Sequence, residues 1–500
     1  RLSTLHASAD MAPWAPLGGL AAVASARGKE MAASGHDSRI LMPKYGSISP
    51  GDDWQATELQ VYTGPVEGTT CRLWQAPFAG ATVYLLEHEA SFGGPDIYWP
   101  NRDNTGRYAL LCRAAIDLCH ALGWFPDIMH CHDWHSGLVP VFLNTHEVGS
   151  PLHATATVFT VHNLQHQGEA PLDILDTTRL PADLAGPGGI SHNGKINFMK
   201  AGLYHATKLT TVSPRYAREI QTPEYGHGLQ GVLHERRRDL IGILNGIDTT
   251  EWDPATDPLI PANFTATDRS GKATCKRQLQ QRFSLEPSDN TPVYGVIARL
   301  YGQKGLDLLA DIIDRLIATM RIQIALLGAG EVALENAFRH AAERYPGRVG
   351  AYIGYDPALG HLVEAGSDFF IMPSRFEPCG LNQMYSMAYG TLPIVRETGG
   401  LADSVQAYDP DLGTGTGFKF VQPSGDALYE TIGCACAVYY DRPDHLDMLR
   451  DNAMRQDLSW ASSAQRYQDA YLWAVDTRLR GLGKIGASHT PFSMPILARK

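Results

Sequence analysis

The chain has 500 residues, 44% of them apolar and 19% charged, with a net charge of −11 from 42 basic and 53 acidic side chains. That length exceeds what one core can organise and predicts two or three globular domains, and the acidity argues against a general nucleic-acid-binding role while leaving room for a local basic pocket. No apolar run reaches the length of a membrane helix and no signal peptide is visible. The eight cysteines, of which only Cys434 and Cys436 lie close together, fit buried reduced thiols in a cytosol-like compartment rather than a disulfide scaffold or a zinc site.

From the first residue onward, short strand-like runs alternate with helix-length stretches. "RLSTLHAS" reads as a strand, "WAPLGGLAAV" (residues 14–23) as a glycine turn opening a helix over Gly19–Ala33, and "SRILMP" as the next strand. One such βαβ unit implies a parallel sheet. "DIMHCHDW", "TATVFTVHNL", "ATKLTTVS" and "LIGILNGID" are further strands of the same half. Residues 250–272, rich in Pro, Asp and Thr, read as a connecting segment and place a domain boundary there. A second series begins at "PVYGVIARL". Leu306, Leu309, Ile312, Ile313, Leu316 and Ile317 then fall on one helical face. "IQIALLGAGE", "VGAYIGYD", "DFFIMPS" and "LPIVRE" follow as strands, and "SWASSAQRYQDAYLWAV" opens a terminal helix and tail. The pattern occurs twice and predicts an α/β protein of two doubly wound domains about a cleft, with ligands beyond the carboxyl ends of the strands.

Several stretches could carry chemistry there. "ARLYGQKGLDLL" places Arg299 and Lys304 between a strand and a helix, where two cations can neutralise a diphosphate or simply form a solvated basic loop. In "PSRFEPCGLNQMYSMAYG", Glu377 follows a strand and Gly380 opens the next helix; backbone N–H groups can hold a phosphate there, and the carboxylate can accept from sugar hydroxyls. "RETGGLADSV" brings a second glycine turn at Gly399 and Gly400. "HCHDWHSG" packs His130, His132, Asp133 and His135 after a strand. His132 and His135 invite a metal reading with Asp133 beside them, but no further cluster completes a ligand set. "FTVHNLQHQG" ends a strand on His162, either a structural or a catalytic histidine.

These motifs, from "GGLA" through "HDWHSGL", "TVHNLQHQG", "EYGHGLQGVL", "ILNGID" and "ARLYGQKGLDLL" to "SRFEPCGLNQMYSMAYGTLPIVRETGGLAD" and "LSW", run in order over nearly the whole chain. Together they resemble the glycogen and starch synthases, retaining glucosyltransferases that extend α-1,4-glucan from ADP-glucose. The resemblance implies two Rossmann-like domains facing a deep cleft, the GT-B architecture. Residues 1–250 would form the acceptor domain, 251–455 the nucleotide-sugar donor domain, and 456–500 a helix crossing back to the first domain, with a tail. It further implies that Arg299 and Lys304 bind the donor diphosphate, and that Glu377 contacts the transferring glucose near its 3-hydroxyl. Cys379, Gly380 and Leu381 would supply backbone contacts, and His162 would hold its carbonyl near the anomeric carbon. Asp133 and Asn245 would line the acceptor and glucose side, Tyr355 would pack on the adenine, and Gly399 and Gly400 would frame the sugar. Tyr98 would lie near the glucan. No metal or cofactor is implied; the partners are ADP-glucose or a related nucleotide sugar and an α-1,4-glucan, in the cytoplasm or, after removal of a transit peptide, the plastid stroma.

Two positions depart from the family motif Lys-x-Gly-Gly-Leu-(Ala/Gly)-Asp. Pro16 stands for the lysine before Gly18 and Gly19, and Ala22 for the aspartate. A lost charge-assisted contact is worth about 1.5–3 kcal/mol. An active synthase with weakened donor handling is therefore the leading reading. The alternatives are an impaired paralogue that binds glucan or a partner synthase, and a related glycosyltransferase with another nucleotide sugar.

Overall fold

The computed structural model describes residues 1–15, 19–62, 68–99, 102–186 and 188–483, and within them all side chains but those of Ala22 and Arg27. The chain forms two compact units, Arg1–Asn245 joined by the segment from Trp460 onward, and Gly246–Ser459.

The strands of the first unit are β1 (Ser3–Ala7), β2 (Asp37–Pro43), β3 (Gln55–Val61), β4 (Thr69–Phe78), β5 (Ala81–Glu87), β6 (Ile128–His132), β7 (Ala156–Val161), β8 (Glu169–Ala170), β9 (Ser191–His192), β10 (Lys195–Asn197), β11 (Lys208–Thr211) and β12 (Leu240–Gly242). Nine of them make one sheet in the order β12-β11-β7-β6-β1-β2-β5-β4-β3; β8, β10 and β9 make a small antiparallel one. The large sheet is parallel from β12 to β5, and β4 and β3 extend it antiparallel. Every residue of β6 and β7 is buried, as strands covered on both faces must be. The chain runs outward from β1 to β2, then returns to place β6 on the other side of β1. This reversal is a topological switch point, and the ends of β1 and β6 flank it.

The helix Gly19–Ala33 follows β1, as its small, alanine-rich sequence predicts. Pro16 and Gly18 lie outside the described residues, as does the Ala22 side chain. The helix Trp460–Gly481 packs on β6, β7, β11 and the helix Gly19–Ala33. It does so through an apolar seam: Tyr467, Ala470 and Trp473 meet Ile241 and Ile243, and Tyr471 and Ala474 meet Met31, Ile128 and Val158. Aromatic side chains of this kind bury on the order of 150–250 Å² each, enough to hold a terminal helix in place.

The second unit carries β13 (Val293–Leu300), β14 (Gln323–Gly330), β15 (Val349–Ile353), β16 (Phe369–Met372), β17 (Leu392–Arg396) and β18 (Phe418–Phe420). They form one all-parallel sheet, order β15-β14-β13-β16-β17-β18, whose switch point lies between β13 and β16. The helix Leu306–Thr319 buries the predicted apolar face, with Leu308 added to it. Residues 250–272 belong to this unit, their end entering the helix Ser270–Arg282.

No disulfide forms, but one cysteine corrects the expectation of buried thiols: Cys434 is exposed, because it sits on the outer side of the helix Gly425–Asp441 while Cys436 faces inward. Among the described residues no helix is long and apolar enough to cross a membrane.

Candidate active site

In the second unit the functional groups come from three loops at the switch point. After β13 the chain makes a short 3-10 turn, Gly302–Lys304, and reverses at Gly305, whose φ is +66°. A Cβ at Gly305 would overlap the Pro373 carbonyl, so only glycine lets this turn lie against the loop after β16. That contact delivers Lys304: its Nζ lies 2.6 Å from Glu377 Oε2, and the Ser374 hydroxyl donates to the same oxygen at 3.1 Å. Glu377 is buried and Lys304 half-buried. The two loops are further stitched by Arg375, whose N–H donates to the Gln303 carbonyl at 2.9 Å and whose guanidinium grips Asp307 in a bidentate pair at 2.7 and 2.6 Å. Arg299, at the end of β13, is exposed.

The third loop is the Gly399–Gly400 turn after β17. A Cβ on Gly399 would overlap the Glu377 carbonyl, and one on Gly400 the backbone of Cys379. The Gly400 N–H donates to the Glu377 and Pro378 carbonyls, both at 3.1 Å. These glycines therefore fix the backbone around Glu377. Cys379 is buried, Gly380 (φ +71°) and Leu381 are partly open, and they lead into the seven-residue helix Asn382–Ala388. Tyr355, beyond β15, is 87% exposed, a bare ring at the carboxyl edge of the same sheet.

In the first unit the groups again gather where β1, β6 and β7 end. Asp133 has the left-handed φ of +55° and is buried. Its Oδ1 accepts from the N–H of His162 at 2.7 Å and from that of Asn163 at 3.4 Å. Burial pushes its carboxyl up to about 7, against the pull of those two amides. Asp10, just beyond β1, is buried too; desolvation and then the Asp133 charge hold it well above the usual carboxylate range, and its Oδ1 has no hydrogen-bond partner among the described residues. Sequence reading missed Asp10, because only the pairing of β1 with β6 places it at the switch point. Asn245 is buried, and its Oδ1 has no hydrogen-bond partner among the described residues. Gly19 opens its helix, while Gly18 lies outside the described residues.

The histidines separate into two groups. The Tyr98 hydroxyl lies 2.8 Å from His135 Nε2, and burial lowers His135 to about 3, so that it stays neutral. His132 turns the other way. Its Nδ1 meets His162 Nε2 at 3.0 Å and its Nε2 meets His6 Nδ1 at 3.4 Å. The structure thus does not bring His132 and His135 together. Among the described residues the metal-compatible group is His6, His130 and His132, and both nitrogens of His130 already meet hydroxyls, Tyr471 at 2.7 Å and Thr160 at 2.6 Å. Beside Trp134 opens a cavity of ≈ 500 Å³ lined by Arg102, Asp103, Asn104, Glu169 and Lys195 among others. Gly168 (φ +62°) borders it, and a Cβ there would overlap the Trp134 ring.

Two Rossmann-like units, each with its polar groups at a switch point, define the class: a glycosyltransferase of GT-B architecture. Residues 3–235 match the starch synthase catalytic domain family and residues 277–435 the glycosyl transferases group 1 family. The chain is 45% identical over 493 residues to glycogen synthase 1 of Geobacter sulfurreducens, covering 97% of this chain and 98% of that one. It is 42% identical to the glycogen synthase of Desulforudis audaxviator, covering 95% and 97%. The catalytic domain of starch synthase IV from Arabidopsis thaliana, bound to ADP and acarbose, matches with a TM-score of 0.88 at 34% identity, over 95% of this chain and 99% of that one. Sucrose-phosphate synthase from Thermosynechococcus elongatus shares the fold, with a TM-score of 0.57 at 16% identity over 97% and 100%. The chain belongs to the glycogen and starch synthase family of retaining glucosyltransferases. It moves glucose from a nucleotide sugar to a glucan, and these matches do not favour a non-catalytic glucan-binding role.

Proposed function

We propose that the donor is ADP-glucose and the acceptor the non-reducing end of an α-1,4-glucan, and that the residues gathered at the two switch points carry the transfer. The observation that carries this reading is the Lys304–Glu377 pair at 2.6 Å, held by three glycine-dependent loops. Lys304 and Arg299 neutralise the diphosphate. The bond from the anomeric carbon to the diphosphate oxygen breaks, its electron pair leaving with the diphosphate. The acceptor 4-hydroxyl attacks the same face, and its proton passes to the departing phosphate oxygen, so no covalent enzyme nucleophile is needed. The protein's task is to stabilise departing negative charge and a cationic sugar.

Glu377 and the backbone of Cys379, Gly380, Leu381, Gly399 and Gly400 hold the glucose, and the exposed Tyr355 ring takes the adenine. His162 presents its carbonyl to the anomeric carbon, with Asp133 and Asn245 on the acceptor and glucose side, while the backbone N–H groups of Gly18 and Gly19 serve the donor diphosphate. Tyr98 and the cavity beside Trp134 take the growing chain, since an aromatic edge among charged planar side chains suits a polyhydroxyl ligand. The ADP and the oligosaccharide analogue acarbose held by the Arabidopsis relative support both substrate choices. A cytoplasmic setting is part of the same reading. The test is purified protein with labelled glucose donors and glycogen. Elongation from ADP-glucose above a Glu377→Ala control is expected; preference for UDP- or GDP-glucose overturns the donor, and no elongation from any donor overturns the reading.

A further inference from the structure

Of the residues that the transfer does not use, His132 has the most determined surroundings. His162 is gripped at two points by two consecutive residues at the end of β6. Asp133 accepts from its backbone N–H at 2.7 Å, and His132 Nδ1 meets its ring Nε2 at 3.0 Å. Behind His132 lies a buried polar layer. Its ring stacks on His130 with centroids 4.2 Å apart and planes 25° from parallel. His130 is itself fixed between the Tyr471 and Thr160 hydroxyls, and Thr160 Oγ1 is 2.6 Å from Thr210 Oγ1. His6, on β1, closes the row at 3.4 Å from His132 Nε2. All of these side chains except that of Tyr471 come from neighbouring strands of one sheet, and the terminal helix supplies Tyr471.

The geometry couples the rings. A neutral imidazole carries one N–H, and each contact needs one donor and one acceptor. His6 Nδ1 faces His132 Nε2, and His132 Nδ1 faces His162 Nε2. With all three rings neutral, these two contacts require one shared tautomer, all protonated on Nδ1 or all on Nε2. A ring so held keeps one rotamer, and because Asp133 Oδ1 also accepts from the Asn163 N–H at 3.4 Å, the planar peptide that carries the His162 carbonyl keeps one direction.

We propose that His132 is a positioning residue for glucosyl transfer, fixing the ring and, together with Asp133, the carbonyl of His162. The inference rests on the proposed place of His162 at the reacting carbon. A misdirected group there costs on the order of 10–100-fold in turnover.

Two substitutions at His132 separate positioning from mere packing. An asparagine amide falls where Nδ1 lies and keeps the bond to His162, whereas a glutamine amide reaches the Nε2 position and keeps only the contact to His6. His132→Gln is expected to lower kcat about 10–100-fold with KM for donor and glucan within about twofold, and His132→Asn to recover most of that loss at a similar Tm. Nitrogen-15 NMR of labelled histidines is expected to show one neutral tautomer common to His6 and His162 in the unaltered protein and in no His132→Gln sample. Equal kcat for the two variants, a loss confined to KM, or mixed tautomers at His162 in the unaltered protein overturns the proposal. The spectrum decides the His132–His162 coupling even where a variant does not fold. An unaltered protein with the shared tautomer but no transfer from any nucleotide sugar instead counts against the proposed function.

Discussion

The two units place a carboxylate at the same topological position and give it opposite surroundings. In the second unit, Glu377 follows β16 and meets Lys304 from the neighbouring loop at 2.6 Å. In the first, Asp133 follows β6 beside a second buried carboxyl, Asp10, and among the described side chains neither forms an ion pair. Asp133 relies on two backbone amides, which do not outweigh the cost of its burial. The switch point fixes where the chemistry sits; the side chains that follow the strand decide whether charge there is neutralised or suppressed. Under the proposed function, the unit that meets the diphosphate has the first arrangement and the unit that meets the neutral sugar chain has the second.

The largest expected effect breaks the second unit's half of this contrast. Lys304→Met is expected to lower kcat about 10²–10³-fold, the usual cost of one transition-state charge partner, and to destabilise the protein by about 3–5 kcal/mol because Glu377 is left buried and unpaired. Adding Glu377→Gln should restore the Tm and leave activity low. A double variant that regains turnover would sink the assignment of Lys304 to the diphosphate.

The first unit predicts the reverse behaviour. With a folded value near 7 and an ordinary value near 4, native Asp133 holds its proton between those limits while the unfolded chain has lost it. Its contribution therefore destabilises the fold progressively as pH rises from about 4 to 7, and is constant above that. Asp133→Asn should gain on the order of 2–4 kcal/mol over the unaltered protein at pH 8, with the gain vanishing toward pH 4, as followed by urea unfolding across that range.

Gly168→Ala tests the proposed acceptor side. The added methyl meets the Trp134 ring at a backbone φ of +62°, so a loss of about 1–3 kcal/mol is expected. Glucan KM should rise several-fold while donor KM holds; equal rises in both would detach the cavity from the acceptor. The smallest effect belongs to Arg375→Ala. Its pair with Asp307 is bidentate but more than a third exposed at both ends, and such pairs contribute under about 1 kcal/mol. Tm should move by only a few degrees.

Much of the fold was legible because parallel strands buried on both faces read as continuous apolar runs, and the helix Leu306–Thr319 as a single apolar stripe. β3 was not, because "QATELQV" is largely exposed on the sheet's edge and its polar residues hide the period. The candidate site divides in the same way. Glu377, Lys304 and the glycine turns announce themselves by residue type and spacing. Asp10 does not, since a lone aspartate after a strand carries no signal until β6 is laid beside β1. His132 read as a possible metal ligand because its neighbours in sequence are histidines, yet its partners in space are His162 and His6, 30 and 126 residues away.

The sequence by itself determined the α/β class, the two-fold recurrence of the pattern and the family resemblance, and it supplied the residues proposed to meet diphosphate and sugar. These depend on local period and on motifs contiguous in the chain. Only the tertiary structure decided which charges are paired, which carboxyls are pushed toward their protonated form and which imidazoles meet. Those properties follow from burial and from contacts between strand ends far apart in sequence, and the strand order that creates them is not written in any one segment.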